Sequence, residues 1–250
     1  MNCYLQLFSA RHTAIDESLR IVAESGYAGV EAYGDNFVDA DAFKAGLQKY
    51  DLSVPSIHIN LGKMCTDMKG CISLAREYNT RHIVCPYLEE KERPVDAAGW
   101  QALARELADI ESQWADAQCT FAWHNHDFEF TAMDDGSMPI EHLLDTASAM
   151  KWEADVAWIV RAAVDPAPWI KRYQSRLSAV HLKDIAPTGE CTDEDGWADL
   201  GEGVVEWDAL MPSLLESPAE IFIAEHDNPS DLQRFAQRSI NAFKAMSKSA

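Results

Sequence analysis

Eight short apolar runs recur along the chain, and a helix-like stretch follows each of them. The runs favour strands, and their starts lie roughly 25 to 45 residues apart, which leaves room for a strand, two loops and a helix each time. They cover residues 4–8, 29–32, 54–58, 82–86, 120–123, 154–157, 179–181 and 221–224. This repeated alternation predicts a parallel sheet covered by helices.

The length of the chain, 250 residues, is usual for one closed (β/α)8 barrel, the TIM barrel. No low-complexity linker or break in composition divides the chain. The main alternative is an open doubly wound sheet, which carries a glycine-rich phosphate-binding turn, but neither GxGxxG nor GxxxxGK[ST] occurs. We therefore predict an α/β protein with a single (β/α)8 TIM barrel domain over residues 1–250.

Local signals predict helix ends and one long loop. Thr13 precedes an apolar pattern at helical spacing and has an acid, Asp16, three residues later, so we predict it as the N-cap of the first helix. Gly26 follows the predicted end of that helix. The most polar stretch, residues 187–199, is predicted as a loop.

The charge of the chain restricts its partners. Lys and Arg total 21 and Asp and Glu total 41, which gives a net charge of −20. Such a charge repels phosphate backbones and anionic lipid, so neither a nucleic acid nor a membrane surface is expected as a partner. No apolar run reaches the roughly 20 residues of a membrane helix, and no secretory signal is visible. The six cysteines form no CxxC pair, so we expect reduced thiols and a cytoplasmic protein.

Acidic and imidazole side chains follow most of the predicted strands. In a (β/α)8 barrel the functional residues lie at the carboxyl ends of the strands, so these side chains should converge. They include Glu31, His58, His124, His126, Glu129, Asp155, His181 and Glu225. Carboxylates combined with one or two imidazoles suit Mn²⁺, Co²⁺, Mg²⁺ or Zn²⁺. We therefore predict one divalent metal ion at this end of the barrel.

Several motifs, in this order and spacing, resemble the xylose-isomerase-like barrel superfamily. This is the sugar phosphate isomerase and epimerase group, which also contains endonuclease IV, and the resemblance covers nearly the whole chain. The motifs are QLFSAR at 6–11, GYAGVE at 26–31, HNHDFEF at 124–130, DVAW at 155–158, DP at 165–166, HLKD at 181–184 and LGEG at 200–203.

The resemblance implies one divalent ion held by ligands from the fifth to the eighth strands. Asp155 matches the ligand of the sixth strand, His181 that of the seventh and Glu225 that of the eighth. The epimerase branch places a Glu at the end of the fifth strand, where this chain has His124. Either His124 replaces that carboxylate, or Glu129 reaches back to the metal.

The implied activity is a metal-dependent sugar isomerase or epimerase that removes a proton next to a carbonyl through an enediolate. Glu129 and Glu225 are the candidate catalytic carboxylates. The expected partner is a small-molecule sugar or keto-polyol, and a homo-oligomer is compatible with the sequence. Six further residues at the predicted rim are candidates for substrate binding: Glu31, His58, His126, Trp158, Arg161 and Lys183.

Three other functions are weighed against this one. A lyase or dehydratase, acting on a keto-inositol or a 3-keto-glycoside, would use the same first proton removal. A non-catalytic sugar-binding barrel would explain why the fifth strand lacks its Glu. A zinc phosphoesterase like endonuclease IV needs a basic face for DNA, which a net charge of −20 argues against.

Overall fold

The computed structural model describes residues 2–249 and shows the predicted closed barrel of eight parallel strands. β1 pairs with β2 on one side and with β10 on the other, which closes the sheet. The barrel strands are β1 Cys3–Gln6, β2 Gly29–Ala32, β3 Ser53–His58, β4 His82–Cys85, β5 Thr120–His124, β6 Lys151–Asp155, β7 Leu177–Leu182 and β10 Ile221–Ala224. Two short strands, β8 Asp184–Ile185 and β9 Trp197–Ala198, form a separate antiparallel pair.

Helices follow the barrel strands and cover the outside of the sheet. They are α1 Ile15–Ser25, α2 Ala40–Tyr50, α3 Leu61–Glu77, α4 Ala97–Asp116, α5 Pro139–Thr146, α6 Val156–Arg161, α7 Pro166–Arg172, α8 Trp207–Leu215 and α9 Leu232–Ser249. The main hydrophobic core lies between sheet and helices and includes Leu5, Val30 and Phe222. Within residues 2–249, no helix has the length and apolar character that a membrane span needs.

The inside of the barrel is apolar at one end and polar at the other. Tyr4, Ala179 and Ile223 form a small buried cluster separate from the main core. Side chains two residues apart in a strand face the same side, so Gln6 and His181 also point inwards, nearer the carboxyl end. The apolar cluster thus lies at the amino end of the barrel, where the buried His82 also contacts Ser178 at 2.8 Å.

Two of the local predictions were wrong in detail. The N-cap of α1 is Ala14, without a side-chain hydrogen bond, while the Thr13 amide donates to the Ala10 carbonyl at 2.9 Å. The preceding turn, Leu7–Ala10, is a 3-10 helix, so the chain enters α1 one residue later than predicted. The stretch 187–199 is not all loop, because it contains β9 and a short 3-10 turn. Gly26 ends α1 as predicted, with a left-handed φ of 92°.

Candidate metal centre

Four side chains from neighbouring strands meet at the carboxyl end of the barrel. His124 ends β5, Asp155 ends β6, His181 lies in β7 and Glu225 directly follows β10. Each offers a ligand atom, and the four atoms all lie within 4.8 Å of one another. We call these residues the outer group. The structure thus brings together four of the five residues named as metal ligands from the sequence.

A second group lies deeper in the barrel and shares two histidines with the outer group. It consists of His58, His124, Glu153 and His181, and we call it the inner group. Glu153 Oε1 lies 2.8 Å from His58 Nε2 and 3.1 Å from both His124 Nδ1 and His181 Nε2. The sequence analysis missed Glu153. The signal was strand periodicity, because Glu153 lies two residues before Asp155 and so faces the same side of β6.

The inner carboxylates orient both shared histidines. His181 Nε2 lies 2.7 Å from Glu31 Oε1, while its Nδ1 lies 2.9 Å from Glu225 Oε2 in the outer group. If Nε2–H donates to the inner carboxylates, a lone pair on Nδ1 faces the outer group. His124 uses Nδ1 towards Glu153, which leaves its Nε2 as the acceptor. Carboxylates that fix an imidazole in this way are the usual partners of metal-ligating histidines.

The protonation states of the histidines distinguish the outer group from the inner group. Burial and the neighbouring His181 lower the pKa of His124 to about 4, so it is neutral at pH 7 and able to bind a cation. Although burial acts in the opposite direction, Glu31 and Glu153 raise the pKa of His58 to about 10. His58 is therefore a protonated donor, and the inner group works as a hydrogen-bond network.

The outer group fits a divalent cation by its donor set. Asp155 Oδ1 accepts a hydrogen bond from the Trp158 amide, but its Oδ2 is buried without a hydrogen-bond partner. Burial raises the pKa of Asp155 to about 7, against the attraction of Lys183. An ionised carboxylate with a buried oxygen that accepts no hydrogen bond is unfavourable, unless that oxygen is protonated or binds a cation. Two carboxylates and two imidazoles suit Zn²⁺ and neighbouring divalent metals.

Glu129, the fifth residue named as a ligand, lies in neither group. Its Oε1 accepts a hydrogen bond from Trp123 Nε1 at 3.0 Å, and its Oε2 accepts one from the His126 amide at 2.8 Å. The side chain is fully buried, and burial raises its pKa to about 8. Both oxygens thus hold the turn after β5, so the structure brings His124, and not Glu129, to the other ligands.

A chamber of about 420 Å³ opens above the outer group. Its volume lies in the range of small-molecule sites, about 300 to 1,000 Å³. Of the residues proposed for substrate binding, His58, His126 and Trp158 line it. The lining residues are Phe8, Tyr33, Gly34, Asp35, His58, Asn60, Pro86, Tyr87, His124, His126, Trp158, Glu225 and Asp227. We call this space the central chamber.

The other three candidates for substrate binding do not line the central chamber. Glu31 is buried beneath it and accepts a hydrogen bond from Gln6 Nε2 at 2.7 Å. Lys183 is also fully buried, with its Nζ 2.5 Å from Asp227 Oδ1. Arg161 is exposed on the protein surface, and its Cζ lies 4.2 Å from the ring centre of Trp197. Asp227, which the sequence analysis did not select, does line the chamber.

Comparison with known proteins agrees with this fold. The sequence model of the xylose isomerase-like TIM barrel family matches residues 19–246, so the chain belongs to that family. Comparison with curated proteins returned no match.

Several solved structures share the fold at low sequence identity. A sugar phosphate isomerase/epimerase from Parabacteroides distasonis ATCC 8503 has a TM-score of 0.79 and 18% identity, over 98% of this chain and 93% of that one. The IolI protein with a bound zinc atom has a TM-score of 0.79 and 13% identity, over 100% and 99%. The probable 3-DHS dehydratase AsbF, involved in petrobactin synthesis in Bacillus anthracis, has a TM-score of 0.77 and 15% identity, over 98% and 99%.

Proposed function

We propose that this chain is a divalent-metal-dependent enzyme that removes a proton next to a carbonyl in a small sugar or keto-polyol. The observation that carries the proposal is the outer group, in which Asp155, with one oxygen that has no hydrogen-bond partner, lies among three other ligand residues. His124 and Glu225 of this group also line the central chamber, so a substrate there would reach the same centre. The proposed ligands are His124, Asp155, His181 and Glu225.

A divalent ion held by these ligands would supply Lewis acidity, which lowers the free energy of the negative charge developing beside the carbonyl by several kcal/mol. Glu225 accepts the proton from the adjacent carbon. Lys183 Nζ lies 3.4 Å from Glu225 Oε2, and although burial opposes the effect, Lys183 and His181 lower the pKa of Glu225 well below its usual range. The carboxylate is therefore ionised at neutral pH, as a group that accepts a proton must be.

His126 is a second proton-handling group in the central chamber. Burial, with His124 nearby, lowers the pKa of its imidazole well below the usual range, so the ring is neutral. Its Nδ1 is buried without a hydrogen-bond partner. Return of the proton to the other face of the same carbon gives epimerisation, and return to the next carbon gives isomerisation. His126 therefore offers a second proton acceptor in the central chamber, at a different position from Glu225.

A lyase or dehydratase is the second candidate, and the pairing of Glu225 with His126 favours it. An elimination needs a base for the proton and an acid for the leaving group: Glu225 would take the substrate proton, and His126 would serve as the acid once it has itself been protonated. The probable dehydratase AsbF shows that a protein named for this chemistry shares the fold. Release of water or an aglycone from a keto-polyol or keto-glycoside would identify the lyase, whereas its absence alongside an isomeric product would identify the isomerase.

The first test is the metal content of protein purified without chelators, measured by elemental mass spectrometry. We expect about one divalent ion per chain in the wild type, and loss of it in Asp155→Ala and His124→Ala. Glu129→Gln should retain the ion, because Glu129 is held by Trp123 and the His126 amide. Asp134→Ala, an exposed change, is the control.

The second test follows exchange of substrate protons in deuterated water with a panel of keto-sugars. We expect exchange in the wild type and a loss of several orders of magnitude in Glu225→Gln. In the metal measurement, loss of the ion in Glu129→Gln but not in Asp155→Ala or His124→Ala would contradict the ligand assignment. Tight sugar binding without any exchange would contradict an enzyme and indicate a sugar-binding barrel.

A further inference from the structure

A second chamber of about 370 Å³ adjoins the central one, between the turn Gly34–Phe37 and α3. We call it the side chamber. Its volume alone reaches the range of small-molecule sites. Gly34, His58 and Asn60 line both spaces, so the two chambers meet at these residues. A ligand in the central chamber therefore has a second space directly beside it.

The walls of the side chamber differ in polarity. Phe37, Ile59 and Cys71 present apolar surface, and Ile59 and Cys71 are almost completely buried. Lys63 and Asp67 are more exposed, with 60% and 47% of their side-chain surfaces accessible. Apolar walls with a few polar groups are typical of sites that bind a small organic ring.

α3 is interrupted where it borders the side chamber. Asp67 has non-helical backbone angles, with φ −149° and ψ 55°, and its Oδ1 accepts a hydrogen bond from the Gly70 amide at 3.0 Å. A Cβ atom at position 70 would lie 2.1 Å from Asp67 Oδ2, so a larger residue there would displace the Asp67 side chain from its hydrogen bond. The wall of the side chamber is therefore built around a specific break in the helix.

The boundary between the chambers is rigid on one side and open on the other. His58 is held by Glu31 at 3.0 Å and by Glu153 at 2.8 Å, so its ring cannot swing aside without breaking both contacts. At Gly34, a Cβ atom would meet nothing within 4 Å. The passage between the two chambers therefore runs past Gly34.

The charges along both chambers disfavour an anionic ligand. Lys63 is the one Lys or Arg among the residues found to line them within the described chain, and its Nζ lies 2.9 Å from Asp67 Oδ2. Asp35, Glu225 and Asp227 add negative charge on the central side. In the side chamber, a phosphate or carboxylate substituent would find Lys63 already paired with Asp67, and His58 already paired with Glu31 and Glu153, whereas an uncharged ring would meet no such penalty.

We propose that the side chamber binds an apolar ring attached to the sugar, so that the substrate is a neutral keto-glycoside with an aryl aglycone. The sugar ring occupies the central chamber, and the glycosidic bond passes Gly34. This inference rests on the proposed function for the placement of the sugar. The apolar wall, the rigid boundary at His58 and the shortage of free cations support the same class of ligand.

Isothermal titration with phenyl and methyl D-glucopyranosides, in both anomers, tests the proposal. The two probes share the sugar and differ in the ring. Burial of a phenyl ring should make the phenyl glycoside of the accepted anomer bind about 10- to 100-fold more tightly than its methyl counterpart. The variant Gly34→Leu should abolish this preference, because its side chain would extend into the passage.

Gly62→Leu is the matched control. A Cβ atom at Gly62 would also meet nothing within 4 Å, and this exposed residue of α3 lines neither chamber. This variant should keep the wild-type preference, and thermal unfolding checks that both variants fold. Equal binding of the two glycosides, a preference that survives in Gly34→Leu, or no binding of either probe would overturn the proposal.

Binding and proton exchange are read separately. A phenyl preference that disappears in Gly34→Leu, in a protein that exchanges no protons, would support the side chamber and reject the proposed chemistry. Proton exchange without any phenyl preference would reject the side chamber alone.

Discussion

At the scale of single residues, Glu153 has an unusual number of partners. One of its oxygens faces three imidazoles, those of His58, His124 and His181, at 2.8 to 3.1 Å. Two of these imidazoles belong to the proposed metal centre. Although burial acts against it, His181 and His58 lower the pKa of Glu153 well below the usual range, so it is a permanent negative charge beneath the ligands. Glu153 is thus a positioning residue.

We expect Glu153→Gln to weaken metal binding about 10- to 100-fold, because the neutral amide holds the two ligand histidines less firmly. Competition with a chromophoric chelator measures the affinity. Glu106→Gln makes the same change of charge at an exposed position of α4 and should leave the affinity unchanged. Equal affinities in the two variants would contradict the positioning role.

At the scale of secondary-structure elements, the polar segment 187–199 is tied to α9 by ion pairs. Glu194 Oε1 lies 2.9 Å from Arg234 Nη2, and Asp199 Oδ2 lies 2.9 Å from Arg234 Nε. The Ser230 amide also donates to Glu194. The sequence predicts this segment as a loop because it is the most polar stretch of the chain. Its ordered parts depend on contacts with α9, which local sequence does not reveal.

Replacement of Glu194 by Gln should destabilise the protein by up to about 3 kcal/mol at pH 7. Although burial acts against it, Ser230 and Arg234 lower the pKa of Glu194 from 4.5 to about 2. A lowered folded-state pKa contributes stability that is present above about pH 4.5 and is lost as the pH falls towards 2. The difference between wild type and variant should therefore be constant near neutral pH and shrink in acid.

Urea unfolding at a series of pH values measures this difference. Glu190→Gln, an exposed change in the same segment, should have little effect at any pH. A difference that grows on acidification would contradict the assigned sign.

At the scale of the whole molecule, the closed barrel could be predicted from the sequence, whereas the contacts between residues of the inner group could not. Parallel strands are buried on both faces, so each appears in the sequence as a short apolar run, and eight runs at this length indicate a closed barrel. Strand ends were less accurate, since β6 stops where Asp155 caps α6. Barrel closure brings His58 to Glu153, 95 residues away, and no local pattern in the chain reveals that contact.

Metal binding should stabilise the whole fold, and more so at higher pH. Protein stripped with EDTA should gain about 5 to 10 °C in Tm when Mn²⁺ exceeds its dissociation constant about 100-fold. His181 Nδ1 and Glu225 Oε2 lie 2.9 Å apart, so an ion that binds both atoms would displace the proton that they share when no metal is bound. Despite burial, Glu153 and Glu225 raise the pKa of His181, so protons still compete near neutral pH.

Differential scanning calorimetry at pH 6 and pH 8 measures the effect, and the gain in Tm should be larger at pH 8. Asp155→Ala should show little gain at either pH. An equal gain at both values would mean that no proton leaves when the metal binds.

The apolar cluster of Tyr4, Ala179 and Ile223 restricts how ligands enter and leave the barrel. With the buried His82 beside it, this cluster lies at the amino end of the barrel interior, which is packed with side chains in folds of this kind. Substrate, product and exchanging water must therefore all enter and leave at the carboxyl end of the strands. Product must therefore depart before the next substrate enters, which predicts competitive product inhibition.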